Sequence, residues 1–376
     1  MKMIDSSPAR RLVRCLKTPN LQSFTDTMQF SNYLLNIALP DENLEKVFAT
    51  EFPIYITGVN KILSSLVNEI KENTTQNSLQ LIASELKNDS TSVRCWLTGY
   101  NPTPILKAYK ILKIWKSVCG KTEVEFETKW DFLFQNVSGY NSRRMPKVKL
   151  TKSLSNDLAY VIGFFLADGH IKNVDKLVQR GKYPEYTIAF YDKSADFLKK
   201  IEAIFVKEFS AKCNLHYAED KKGSWYCLRC TSKPIHRFFI EVLGLPFGYK
   251  QGRVCAPEII KQASVDAQKE FISGFCDGEG CVGISTKNPY FEVAQVSYTA
   301  NPPEILVWVS QKLNEFGVKI SVPQKGVTVW RIRTASQKVI NNYYTIISSR
   351  HVDKIPKFEE VKRFSYGSRS RDDDRT

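Results

Sequence analysis

One pair of segments constrains the architecture of this chain more than any other feature. The stretch VIGFFLADGHI, starting at Val161, lies over ISGFCDGEGCV, starting at Ile272, at an offset of 111 residues. Gly163 then falls on Gly274, Phe164 on Phe275, Asp168 on Glu279 and Gly169 on Gly280. The likeness continues. YTIAFYDKSADFLKKIEAIF has a counterpart in YFEVAQVSYTANPPEILVWV, and WYCLRCTSKPIHRFFIEVLG has one in VTVWRIRTASQKVINNYYTI, each reading as strand then helix. The offset falls to 103 by Thr231 and Thr334, so the second copy has shorter loops. Duplicated units bury their shared apolar faces against each other, which predicts an α+β chain with pseudo-twofold symmetry.

Small residues recur four apart in each motif, Gly163 with Ala167 and Gly274 with Gly278, and positions four apart share one helix face. Two such faces can pack backbone to backbone and bring Asp168 and Glu279 together at the helix ends. A carboxylate there opposes the negative end of the helix dipole, at about 0.3–1 kcal/mol. A bound cation compensates, and paired carboxylates are the hard ligands that Mg2+ takes in phosphodiester hydrolysis. An acid followed by glycine is also an ordinary helix stop. Either motif alone permits that explanation; the matched register of the two argues against it.

VIGFFLADG and ISGFCDGEG resemble the two copies of the motif that names the LAGLIDADG homing endonucleases, in the single-chain form with two repeats, over about Leu154 to Lys362. The resemblance implies two αββαββα units whose motif helices form the interface, with saddle-shaped antiparallel sheets in the DNA major groove. It implies that Asp168 and Glu279, the last acids of the motifs, bind the catalytic divalent metal, Mg2+. The sixth motif position departs between the copies, being Leu166 in the first and Asp277 in the second. Family members often place a basic residue of each repeat beside the active-site water, and here Lys250 and Lys354 are the candidates, 104 residues apart. Each also reads as a plain surface lysine. The chain starts with Met and lacks the splice-junction Cys and terminal His-Asn of an intein, so it resembles a free-standing enzyme.

Lys and Arg number 54 against 39 Asp and Glu, a net charge of +15 that favours a polyanionic partner. Alternate residues of an antiparallel strand point away from the core, and a two-stranded ribbon fits the major groove. Arg229, Lys233, Arg331 and Arg333 are therefore candidate DNA contacts, with ordinary solvated basic residues as the alternative.

Upstream, Gly58 to Trp115 carries apolar residues at helical spacing and predicts a small all-α unit. Within it, Ala83, Val93, Trp96 and Gly99 are spaced in a way that resembles the repressor-type helix-turn-helix family. Ser90 or Thr91 would cap the second helix, and Ser92 and Arg94 would face DNA. Lys87 stands where that family has its turn glycine and Asn88 where it has an apolar residue. A plain helical hairpin is the alternative.

The expected organisation is a helical lead-in at 1–57, a helix-turn-helix-like unit at 58–141, an exposed basic linker at 142–153, repeats at 154–262 and 263–364, and a frayed tail at 365–376. No apolar segment approaches the roughly 20 residues of a membrane span. No apolar region follows the basic N-terminus, and nine irregularly spaced cysteines fit reduced thiols. The protein reads as intracellular, cytoplasmic or nucleoid-associated, with an organellar location open. Cys227 and Cys230 lack the second close pair of a zinc site. The function expected is a site-specific double-strand DNA endonuclease, monomeric through its internal symmetry. A non-catalytic DNA-binding regulator and an RNA-binding intron maturase are the alternatives.

Overall fold

A computed structural model describes residues 53–142, 145–151, 153–174, 177, 184–220, 223–250, 252–285, 293–300 and 303–363. The lead-in before residue 53 and the tail after residue 363 lie outside the described residues. The N-terminal unit runs β1 (Ile54–Thr57), α1 (Asn60–Glu72), α2 (Ser78–Glu85), α3 (Ser90–Thr98), β2 (Thr103–Pro104), α4 (Ile105–Val118), α5 (Glu123–Gln135) and β3 (Gly139–Ser142). It was expected to be all helix. Instead β1 pairs antiparallel with both β2 and β3, giving a three-stranded sheet in the order β2-β1-β3. Strands of two to four residues are too short to display an alternating pattern, so periodicity misses them.

The next segment was expected to be an exposed connector, yet Val148 and Leu150 are buried. Tyr140 and Val148 exchange two backbone hydrogen bonds of 2.7 Å, and the Lys149 N–H donates to the Phe209 carbonyl at 2.8 Å. The basic composition masked two apolar anchors that seat this segment on the first repeat.

The first repeat comprises α6 (Asn156–Asp168), β4 (Gly169–Ile171), β5 (Thr187–Asp192), α7 (Ala195–Phe209), β6 (Asn214–Asp220), β7 (Gly223–Thr231) and α8 (Lys233–Arg237), which widens into a π-turn at Phe238–Val242. After the short α9 (Glu258–Lys261), the second follows the same order: α10 (Val265–Glu279), β8 (Gly280–Ser285), β9 (Val293–Ala300), α11 (Glu304–Glu315), β10 (Gln324–Lys325), β11 (Trp330–Thr334) and α12 (Gln337–Ile346). A further helix, α13, spans Lys354–Arg363. The expected αββαββα pattern is thus present twice. Each repeat has one antiparallel sheet, β4-β5-β7-β6 in the first and β8-β9-β11-β10 in the second. Among the described residues no helix is long and apolar enough to cross a membrane.

The motif helices α6 and α10 hold the core together. Ser155 caps α6 by accepting the Leu158 N–H at 3.0 Å, and Ser264 caps α10 through the Ala267 N–H at 3.3 Å. All residues from Leu158 to Ala167 are buried. The helices cross where glycine is required: a β-carbon at Gly163 would collide with the Phe271 carbonyl oxygen, and one at Gly274 with the Tyr160 carbonyl oxygen.

Strand register corrects the sequence alignment by one residue. Gly169 pairs with Phe190 and Phe190 with Leu228; Gly280 pairs with Tyr298 and Tyr298 with Ile332. Leu228 therefore corresponds to Ile332 and Arg229 to Arg333, an offset of 104. Matching Thr231 to Thr334 placed an exposed residue on a buried one, because a slip of one residue turns every side chain to the other face.

Because the collision at each crossing is with backbone, even the smallest side chain has no room to relax. Gly163→Ala and Gly274→Ala are each expected to destabilise the fold by about 1–3 kcal/mol. Gly283→Ala, where a β-carbon meets nothing within 4 Å, is the control and should leave the denaturation midpoint unchanged.

Candidate active site

Asp168 and Glu279 are the last residues of α6 and α10, so the glycine crossing carries them to the same place. A β-carbon at Gly278 would meet the Ala167 side chain and lie 3.0 Å from Asp168 Oδ2, which puts the Asp168 carboxylate against the residue preceding Glu279. The glycines after the acids are not left-handed helix stops, since Gly169 (φ −88°) and Gly280 (φ −80°) are extended. Their role is steric: a β-carbon would strike Phe165 at the first and Cys276 at the second as the chain turns from helix into strand.

Burial is the main force on the paired acids. It raises the Asp168 carboxyl above its usual range, against the pull of Lys250, with Asp192 adding a push in the same direction as burial. Burial also raises Glu279, and the Asp168 charge adds to this. Among the described residues no hydrogen bond or ion pair reaches either carboxylate. Two desolvated acids sharing a site without a protein donor are a fit for a hard cation, and the oxygen donor set matches one.

Lys250 and Lys354 are not surface lysines. Lys250 Nζ donates to the carbonyls of Phe165, Leu166 and Ala167 at 3.0, 3.1 and 2.8 Å. Lys354 Nζ donates to those of Cys276, Gly278 and Gly280 at 2.8, 3.4 and 2.8 Å. Each ammonium spends its three donors on the C-terminal end of the motif helix of its own repeat, opposing the dipole there. Burial pushes Lys250 down to about 8, while Asp168 and Glu279 pull it up. A cavity of about 610 Å³ opens on the first repeat's side, between His170 and Lys172 and the loop carrying Tyr249 and Lys250.

The sheets' outer faces carry three of the four expected DNA contacts. Arg229 is exposed on β7 opposite Ala189 and Asn214, with its Nε 3.4 Å from Cys227 Sγ. Arg331 and Arg333 are exposed on β11 opposite Thr299 and Ser297. Lys233 departs from the expectation: it begins α8, is only 8% exposed and lies 5.1 Å from the centre of the Tyr186 ring. The strand ends two residues earlier, so the alternation that would have turned Lys233 outward no longer applies. Cys227 and Cys230 are both buried.

In the N-terminal unit Ala83, Val93 and Trp96 are buried as expected, and Lys87 takes a left-handed φ of 50° in the turn between α2 and α3. The α3 cap differs. Asp89 holds that position, accepting the Ser92 N–H and hydroxyl, each at 2.7 Å, so Ser92 is engaged in the cap while Arg94 stays exposed.

Sequence reasoning missed a polar network centred on Asp277. This buried carboxylate accepts the Tyr160 hydroxyl at 2.5 Å, the Ser349 hydroxyl at 2.5 Å and the Arg350 N–H at 2.8 Å. The Arg350 guanidinium donates to Asp157 and Glu270, both at 2.7 Å, and sits 4.4 Å from the centre of the Tyr160 ring. Its signals were the Leu166/Asp277 mismatch and the polar SSRHVDK run before Lys354, facing GLPFGYK before Lys250.

Residues 155–242 match the LAGLIDADG-like domain family. The homing endonuclease I-ApeI of Aeropyrum pernix is 25% identical over 207 residues, covering 54% of this chain and 86% of the relative. Among solved structures, I-DmoI in complex with DNA and Mn aligns with a TM-score of 0.38 and 20% identity over 52% of this chain and 98% of that one. I-WcaI bound to its DNA recognition sequence aligns with a TM-score of 0.39 and 15% identity over 56% and 88%. The matched residues lie within the first repeat, and the duplicated motif with its glycine crossing extends the likeness to that family into the second.

Proposed function

We propose that this protein is a site-specific double-strand DNA endonuclease of the homing type, hydrolysing one phosphodiester in each strand with a divalent metal, Mg2+. The observation that carries the reading is the convergence of Asp168 and Glu279, half-buried and with no hydrogen-bond or ion-pair partner among the described residues, at the ends of two helices that touch through glycine. The likeness to I-ApeI supports it. Asp168 and Glu279 would hold the metal, which supplies charge stabilisation at the scissile phosphate and a more acidic water nucleophile. Two carboxylates leave the remaining coordination to water and phosphate oxygens. Lys250 and Lys354 hold the helix ends in place, while Arg229, Arg331 and Arg333 contact DNA from the sheets' outer faces. The spread of positive charge supplies sequence-independent affinity. A DNA-binding regulator would have no use for two half-buried acids brought together without a protein donor among the described residues.

Asp168→Asn and Glu279→Gln are expected to abolish Mg2+-dependent cleavage of a plasmid library and leave DNA binding largely intact. The same substitutions should raise the melting temperature of the metal-free protein at pH 7–8. The sign follows from the raised carboxyls: their penalty is full above the folded-state pKa, where both states are ionised, and vanishes below the unfolded value. The gain should therefore disappear as pH falls below about 4. Undiminished cutting by both variants would end the metal-ligand assignment.

We also propose that α3 is a second DNA-contacting element. Arg94→Ala should weaken binding to a long target by about 1–3 kcal/mol for each lost base contact, measured by mobility shift, while the cleavage position stays the same. An unchanged affinity would remove α3 from the interface.

A further inference from the structure

The seven residues before and including each capping lysine run in parallel roles through the two repeats but make different contacts. In the first repeat, Gly244–Lys250 is mostly apolar: Leu245 is buried, Phe247 packs on the core, and the Gly248 N–H donates to Ile171 of the same repeat. In the second, Ser348–Lys354 reaches across the interface. Lys200 of the first repeat donates to the Arg350 carbonyl at 2.9 Å, and Arg350 itself reaches Asp157.

His351 makes the most consequential of these crossings. Its Nδ1 accepts the Asp353 N–H at 3.2 Å, which leaves the proton on Nε2, directed at Asp192 Oδ2 at 3.1 Å. Its ring lies 4.3 Å from that of Phe197, and both partners of the His351–Asp192 pair are close to fully buried. Asp192 ends β5, two residues past Phe190, which pairs with Gly169 at the start of β4, so it stands beside the end of α6 that carries Asp168. The Asp192 charge is felt at the Asp168 carboxyl. Three residues on, Lys354 caps the helix that carries Glu279. The strand register and the lysine offset identify the counterparts in the other half as Phe247 for His351 and Ala300 for Asp192. Neither can form the bond.

We propose that His351 and Asp192 are a positioning pair that acts on the Asp168 half of the acid pair alone, so that the two strand cuts are under unequal control. This rests on the endonuclease reading above. The pair fixes the end of β5 beside Asp168 to the strap that ends in Lys354, and among the described residues no such tie joins the end of β9 to the strap that ends in Lys250.

The test is single-turnover cleavage, with Mg2+, of a duplex labelled on both strands and carrying a site that the wild type selects from a randomised plasmid library. The double variant His351→Phe/Asp192→Ala copies the counterpart residues and removes both partners together, leaving no buried charge unpaired. It is expected to change the ratio of the two strand-cutting rates tenfold or more, with nicked duplex accumulating. His351→Gln, which keeps an N–H for Asp192, should hold the ratio within twofold of the wild type. A double variant that slows both cuts by one common factor, or leaves the ratio within twofold, overturns the proposal while the endonuclease reading stands. Should the double variant not fold, His351→Phe alone is held to the same criterion. A wild type that cuts no duplex overturns both readings.

Discussion

Two helices meeting with no side chain between them is the constraint from which the rest of this structure follows. At Gly163 and Gly274 each helix lies against a carbonyl of the other, so the axes approach more closely than any pair of side chains allows. That approach fixes the distance between the helix ends and thereby what stands there. It also fixes the two sheets, because each motif helix runs directly into the first strand of its own sheet, Asp168 into β4 and Glu279 into β8. One contact made of backbone alone thus sets both the spacing of the acids and the placement of the surfaces beside them.

The chemistry at the helix ends is a balance of opposed electrostatic effects. Carbonyls of the last turn and two acids crowd one region with negative potential, and burial removes the water that would screen it. The lysines answer the carbonyls directly, each by three hydrogen bonds, and the acids only at a distance. What is left over is negative charge, half-buried and without a direct donor among the described residues. A fold selected for stability alone would protonate or delete these groups, which is why their persistence speaks for a ligand.

Much of this could be read from the chain itself. The motif helices, the glycines at their crossing, the two acids and the succession of strands and helices all rest on local spacing, which sequence records faithfully. The register of β11 did not, because loops between the repeats differ in length and a slip of one residue preserves the look of alternation while reversing it. Lys233 was misplaced by the same short range of the signal, since a strand's end decides which way its next residue points. The sheet of β1, β2 and β3 joins segments more than 80 residues apart in pieces too short for any period. The Asp277 network was invisible for another reason: its members, Tyr160, Ser349 and Arg350, are brought together only by the fold, and an odd acid in an apolar motif does not say who will satisfy it.

That network also bears on how the two halves relate. Under the symmetry, Asp277 corresponds to Leu166 and Tyr160 to Phe271. Two copies of the second half would set each buried Asp277 opposite a phenylalanine, without the hydroxyl it now accepts. Two copies of the first half would bury each Tyr160 hydroxyl against leucine. The first-half pairing strands two hydroxyls in the core, at about 1–3 kcal/mol each, and the second-half pairing strips each Asp277 of one of its three donors. The halves have therefore become complementary rather than equivalent. A separated half would find its proper mate in the other half and not in itself, so the duplicated gene has lost the way back to a symmetric dimer.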